Sequence, residues 1–188
     1  MNIAILLGSV RTGRQTPKIA YYVEQKLTER GHEVVMMDLG TDPVPLMDER
    51  YGMAEQQSVQ VVSLSEKFKQ ADAIILASPE YHGSYTGVLK NALDYYWKEF
   101  LRKPMGVIAT GSGRMGGINA STQLQHVILS MGAYPVPYKL LVPQIQLAFD
   151  ENMQPVREEL VKNTEKFLDE FLWFANAIVQ AKQQTNRQ

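Results

Sequence analysis

The chain predicts a doubly wound α/β sandwich, a mostly parallel sheet with helices on both faces. Short, continuous apolar runs mark strands buried on both sides. These runs alternate with stretches whose apolar residues recur at the three- and four-residue spacing of a helix. Five strands alternating with five helices, joined by right-handed crossovers, leave few other architectures.

The first strand spans residues 2–7, followed by the loop GSVRTGRQT at 8–16. A helix over about 17–30 follows, with Thr16 as its expected N-cap and Pro17 suited to its first position. Ile19, Val23 and Leu27 form its buried stripe, and Gly31 stands where a left-handed C-terminal cap belongs. A second strand at 33–38 completes a βαβ unit. Residues 40–57 are irregular, with Pro43, Pro45 and Gly52, and a connection this long is expected to serve function or an interface.

Ser58 caps the next helix, to Gln70, with Val61, Leu64, Phe68 and Ala71 on one face. Strand three covers 73–77, a loop 78–86, and a helix starts near Gly87. Leu89, Ala92, Leu93, Tyr96, Trp97 and Phe100 continue its stripe and predict a helix to Phe100. Strand four, at 105–109, precedes TGSGRMGG and a helix to Met131, whose apolar face is Ala120, Leu124, Val127, Ile128 and Met131. A fifth strand falls within 134–142, where Pro135 and Pro137 suit a sheet edge. Pro155 leads into a last helix to about Lys182, with Glu158 and Glu159 near its positive end. One domain over 1–182 and a polar tail over 183–188 are expected.

Composition narrows the function. With 188 residues and a formal charge of −1, the chain has a full core but no nucleic-acid footprint. Near-neutrality also disfavours the acidic docking face of an electron carrier. The absence of cysteine removes disulfides, thiolate nucleophiles and cysteine-ligated metal, and suits a reducing cytoplasm. Neither a signal peptide nor a bilayer-length apolar segment is expected. His32, His82 and His126 lie in separate elements without metal spacing, and no GxSxG elbow occurs.

What remains are loops. Ligands in doubly wound folds sit at the carboxyl ends of the strands where the winding reverses, whether the order is Rossmann-like or flavodoxin-like. Loop 8–16 has two glycines, two arginines and three hydroxyls before a helix N-terminus, which favours an anion. Arg11 can add a charge-assisted contact to phosphate. No Walker motif is present, so a single terminal phosphate is the better match. Gly111, Gly113 and Gly116 have GxGxxG spacing after the fourth strand, but no acidic residue follows about twenty positions on. These glycines either let backbone approach a flat ligand or serve turns and helix contacts. Loop 78–86 brings Glu80, Tyr81, His82 and Ser84 to the same crevice, where a planar ring could lie against the backbone. His82 is a weak candidate general base; a hydrogen-bonding or contact role is the simpler one. With no nucleophile, metal or carboxylate dyad, the chemistry falls to a cofactor.

GSVRTGRQT resembles the phosphate loop of the NADPH-dependent FMN reductase family, within the flavodoxin-like superfamily. SPEYHGSYTGVLKNALDY resembles that family's characteristic loop and helix, and ATGSGRMGG with GAYPVP its third loop and fifth strand. The resemblance covers roughly residues 2–145. It implies a flavodoxin-like three-layer sandwich with a five-stranded parallel sheet in the order 2-1-3-4-5. It implies noncovalent FMN, with Ser9, Arg11, Gln15 and Thr16 around the phosphate. Pro79, Glu80, Tyr81, His82, Gly83 and Ser84 would lie beside the isoalloxazine, and Ser112 and Gly113 would face it. NADPH or NADH would be co-substrate, and a free flavin, quinone, azo compound or metal oxyanion the acceptor. No catalytic side chain and no metal are implied, since the flavin carries the chemistry. Arg14 could meet the 2′-phosphate of NADPH, or stand solvated.

Two residues depart from the family pattern: His82 replaces a frequent Asn, and Thr86 a frequent Pro, so a looser lead into the helix is expected. A flavodoxin-type carrier without nicotinamide turnover is the alternative function. A phosphoacceptor receiver would need Asp where Ala77, Ser78 and Pro79 stand. A homodimer or homotetramer is expected, as Tyr85, Tyr95, Tyr96, Trp97 and Phe100 exceed one buried helix face. Leu46, Met47, Tyr51 and Met53 add to that surplus.

Overall fold

Strands β1 (Asn2–Leu7), β2 (Glu33–Asp38), β3 (Ala73–Pro79) and β4 (Pro104–Gly111) pair in parallel in the order β2-β1-β3-β4. A computed structural model describes them within residues 1–185. The fifth position is shared by β5 (Tyr134–Pro135), against the start of β4, and β6 (Leu140–Pro143), against its end. The prolines expected in an edge strand break it in two, because Pro135 and Pro137 have no N–H for a ladder. Gln125 donates to the carbonyls of Val136 and Pro137 at 2.9 and 3.2 Å, satisfying backbone exposed by the break.

The side-chain alternation of the strands builds two cores. Ile3, Ile5 and Leu7 meet α1 (Thr16–Glu29) and α5 (Glu158–Thr185), whereas Ala4 and Leu6 meet α2 (Val59–Gln70), α3 (Gly87–Asp94) and α4 (Ile118–Ser130). The result is the expected three-layer sandwich in the order 2-1-3-4-5. Gly31 and Gly132 end α1 and α4 at φ 82° and 73°, a conformation that glycine adopts without strain.

Several boundaries differ from expectation. β3 and β4 run on to Pro79 and Gly111, because Pro79 pairs with Thr110 across the sheet. α3 stops at Asp94, and 95–100 tighten into turns with Tyr96 N–H on Leu93 and Phe100 N–H on Trp97. This bend delivers Tyr96 and Phe100 to Phe68, at centroid distances of 5.3 and 5.0 Å, as edge-on aromatic contacts. Most of the supposed aromatic surplus is therefore core, with only Trp97 half exposed. α5 is helical through Thr185, so the start of the expected tail is helix; residues 186–188 lie outside the described residues. Residues 40–57 form a belt over α3, held by Asn91, whose amide accepts from Met47 N–H and donates to the Pro45 carbonyl. Among the described residues no helix is long and apolar enough to cross a membrane.

Candidate functional site

Four loops meet at the carboxyl edge of the sheet, after β1, β3, β4 and β6, around a cavity of about 490 Å³. That volume suits a small-molecule site. β1 and β3 are neighbours, while the helices that follow them, α1 and α3, lie on opposite faces. The cavity thus sits where the winding reverses.

The first loop supplies donors. Among the described residues, the amides of 9–13 and Gln15 donate to no protein acceptor. No side chain caps α1: Gln15 is the N-cap residue, and its amide turns back to the Gly13 carbonyl at 2.9 Å. Thr16, expected as that cap, is buried, with its hydroxyl 2.8 Å from that of Thr110. This contact ties the first loop to the end of β4. Ser9 is buried in the cavity wall, whereas Arg11 is exposed and, among the described residues, meets only the Tyr81 ring, 6.0 Å from its centroid. Arg14 also lines the cavity, but its guanidinium is hydrogen-bonded to Asp38, which raises its pKa despite burial.

The second loop is a tight turn with two anchors. Tyr81 and Ser84 exchange backbone hydrogen bonds at 2.8 and 3.0 Å around His82 and Gly83, whose φ values are 50° and 75°. Two successive left-handed residues make a primed turn, which favours Asn or Gly and tolerates His. Consequently His82 points into solvent at the tip, and His82, Gly83 and Ser84 do not line the cavity. The turn carries these three, expected beside the ring, past the rim of the cavity. Pro79, Glu80 and Tyr81 do line it.

Glu80 has a structural task as well. Its carboxylate accepts from the backbone N–H of Asn119 and Ala120 at 2.9 and 3.1 Å, capping α4 from outside its own chain segment. Gln123 adds a second clasp, donating to the Gly83 carbonyl and accepting from Ser84 Oγ, both at 2.7 Å. Nor is the lead into α3 loose: Thr86 accepts from Leu89 N–H as N-cap and donates to the Gly8 carbonyl at 2.6 Å. Thr86 thus fastens the second loop to the first. Gly8 permits this approach, since a β-carbon there would meet that of Leu89 at 2.6 Å.

In the third loop, Thr110, Gly111 and Ser112 line the cavity, but Gly113 does not. Gly117, at φ 86°, would press a β-carbon to 2.9 Å from Thr110 N, and one on Gly116 would meet Pro143 N at the same distance. Within the GxGxxG spacing, Gly111 and Gly116 therefore answer to close backbone contacts, whereas Gly113 stands in open space. The fourth segment was not foreseen: Ile145 and Gln146, in a 3-10 turn after β6, close the remaining side. Gln146 reaches the Ser112 carbonyl at 3.3 Å. Nothing local marks these two residues; only the split edge strand brings them here. Thr110, not singled out by the sequence, lines the cavity at the end of β4, where its hydroxyl meets that of Thr16.

The family model for NADPH-dependent FMN reductase matches residues 1–146, the segment that contains every cavity-lining residue. The chain belongs to the NADPH-dependent FMN reductase family. An FMN-dependent NADPH-azoreductase of Staphylococcus saprophyticus is 30% identical over 178 residues, covering 90% of this chain and 93% of that protein. An NADPH azoreductase of a Bacillus species is 27% identical, covering 89% and 93%. Among solved structures, the flavoenzyme NAD(P)H:(acceptor) oxidoreductase FerB of Paracoccus denitrificans superposes with a TM-score of 0.80 at 22% identity, covering 94% and 97%. A flavodoxin of Streptococcus pneumoniae superposes with a TM-score of 0.60 at 18% identity, covering 92% and 98%. These two structural likenesses establish the flavodoxin-like fold.

The donor set of this FMN reductase family member suits a phosphorylated planar ligand. Ser9, Arg11 and Gln15 line the cavity, and among the described residues their backbone amides and the Arg11 guanidinium have no polar acceptor. The lining also includes slender backbone at Gly111 and the flat side chains of Pro79 and Tyr81.

Proposed function

We propose that this protein is an FMN-dependent oxidoreductase that takes hydride from NADPH or NADH and passes reducing equivalents to a small-molecule acceptor. An azo compound is the first acceptor to try, given the azoreductase relatives; quinones, free flavins and metal oxyanions are the others. The observation that carries this reading is the first loop's run of amides without an acceptor among the described residues, in a loop that lines the same cavity as Pro79 and Tyr81.

Bound FMN would supply the hydride-accepting and hydride-donating chemistry. The chain's own part is binding and orientation. The amides of 9–13, with Ser9, Arg11, Gln15 and the N-terminus of α1, would hold the phosphate. Thr16 bonds to Thr110 and so sets the phosphate side against the ring side. Pro79, Glu80 and Tyr81 would flank one edge of the ring, with Gly111 and Ser112 opposite. Backbone N–H groups near the ring's polar edge would stabilise negative charge there on reduction. Tyr81 stays partly exposed at the rim, leaving an approach for nicotinamide and acceptor in turn.

Titration of the purified protein into FMN, followed by flavin fluorescence, tests the cofactor; NADPH oxidation with methyl red tests the reaction. Saturable binding and dye bleaching are expected. A protein that binds no FMN overturns the proposal. FMN binding without NADPH or NADH oxidation by any of the acceptor classes would leave the carrier instead.

We also propose that the protein is a homodimer or homotetramer. Leu46, Met53 and Trp97, exposed on the belt and just beyond α3, support this; a monomeric mass in light scattering counts against it. A cytoplasmic location completes the proposal, on the cysteine-free composition, and cell fractionation checks it.

A further inference from the structure

An arginine in a phosphate loop invites the role of anion ligand, and Arg14 lines the cavity. Its hydrogen bonds indicate another role. Nη1 and Nη2 fork onto the two carboxylate oxygens of Asp38, the second at 2.7 Å, and Nη1 also donates to the Ser9 carbonyl at 2.5 Å. Asp38 is the last residue of β2, and its side chain is only 6% exposed. Oδ1 of the same carboxylate accepts from Gly40 N–H at 2.8 Å.

Gly40 is bare for a steric reason, not a torsional one: its φ is not positive, yet a β-carbon would stand 2.2 Å from Nη1 and 2.6 Å from Cζ of Arg14. On the other side, Arg14 N–H closes a turn onto the Arg11 carbonyl at 3.0 Å. The turn at 11–14, the Asp38 carboxylate and the bare backbone at Gly40 thus form a slot for one planar guanidinium. A guanidinium forked onto a buried carboxylate has little charge left to offer a phosphate.

We propose that Arg14 is a positioning residue. Through Asp38 it fastens the first loop to the end of β2, holding the Ser9 carbonyl outward so that the neighbouring amides face the cavity. Arg11, which has no polar partner among the described residues, is the cation that meets the phosphate. Asp38 and Gly40, neither of which lines the cavity, thereby belong to the cofactor site. This inference rests on the FMN reading above.

The test is the FMN dissociation constant of the wild type, Arg14→Ala, Asp38→Asn, Gly40→Ala and the Arg14→Ala/Asp38→Asn pair. Positioning through the fork predicts that each single change weakens FMN by about tenfold or more, and that the pair is no weaker than its worse member. An Arg14 that ligated the phosphate would be released by Asp38→Asn, or displaced from its slot by Gly40→Ala. Affinity in those variants would then hold or rise, which overturns the proposal even if one of them fails to fold. With FMN saturating, the ratio of KM for NADPH to KM for NADH stays at the wild-type value in Arg14→Ala. A selective loss of NADPH would make Arg14 the 2′-phosphate ligand and also overturn it. Urea unfolding without FMN identifies variants that are merely misfolded. A wild type that binds no FMN refutes the functional reading itself, whereas the variant pattern judges Arg14 alone.

Discussion

At φ 50°, His82 occupies a backbone conformation that most side chains resist, and that fact limits its role more than its chemistry does. His82→Asn should leave NADPH-dependent dye reduction and urea stability at the wild-type level, because Asn accepts the same turn. His82→Val should lose about 1–2 kcal/mol in urea unfolding, as a β-branched residue does in the left-handed region. A large fall in turnover with His82→Asn would restore the general-base role. For Glu80, the neighbour that lines the cavity, the expected effect is larger than its surface position suggests. Glu80→Ala removes the carboxylate that caps α4 and should cost about 1–2 kcal/mol, measured in apoprotein so that FMN contacts do not contribute. Thr86 shows how a single hydroxyl can replace the rigidity of proline, by capping α3 and gripping the first loop at once.

Among the elements, α2 depends on a residue far from it in sequence. Lys103, just before β4, donates to the carbonyls of Phe68, Lys69 and Ala71, closing the C-terminal end of that helix. Burial, with Lys182 adding repulsion, lowers its pKa from 10.5 to about 8, against the opposite pull of Asp72 and Glu99. The unfolded chain therefore binds the extra proton between about pH 8 and 10.5, and this group makes stability rise with pH across that window. Urea midpoints of the wild type minus those of Lys103→Met should increase from below pH 8 to above pH 10.5. A flat difference would show that the ammonium persists against its three carbonyls. The edge strand is the other instructive element: its prolines split β5 from β6, and the second piece ends at the cavity with Ile145 and Gln146.

The molecule as a whole is one sheet with two cores that share strands β1 to β4, so the cores should unfold together. Trp97 lies beside the belt and Trp173 on α5, on opposite faces. Fluorescence of single-tryptophan variants, Trp97→Phe and Trp173→Phe, should give urea midpoints that coincide with far-ultraviolet dichroism. Free FMN at about a hundred times its dissociation constant should add about 2.7 kcal/mol to the unfolding free energy and raise both midpoints equally. Separate transitions would divide the domain.

The chain's order of strands and helices was legible because buried parallel strands are continuous apolar runs, and amphipathic helices repeat their apolar residues. The first loop and the Pro79–Tyr81 wall of the cavity were legible too, since loops rich in glycine, hydroxyls and charge stand out between such runs. Tertiary structure decided the rest. It turned His82 outward through a backbone torsion, set Glu80 on a helix 39 residues away, and bound Arg14 to a carboxylate 24 residues on. It also brought Ile145 and Gln146 to the cavity by breaking a strand. Local sequence determines which groups a loop carries; which of them remain free to meet a ligand depends on partners that only the folded chain brings within hydrogen-bonding distance.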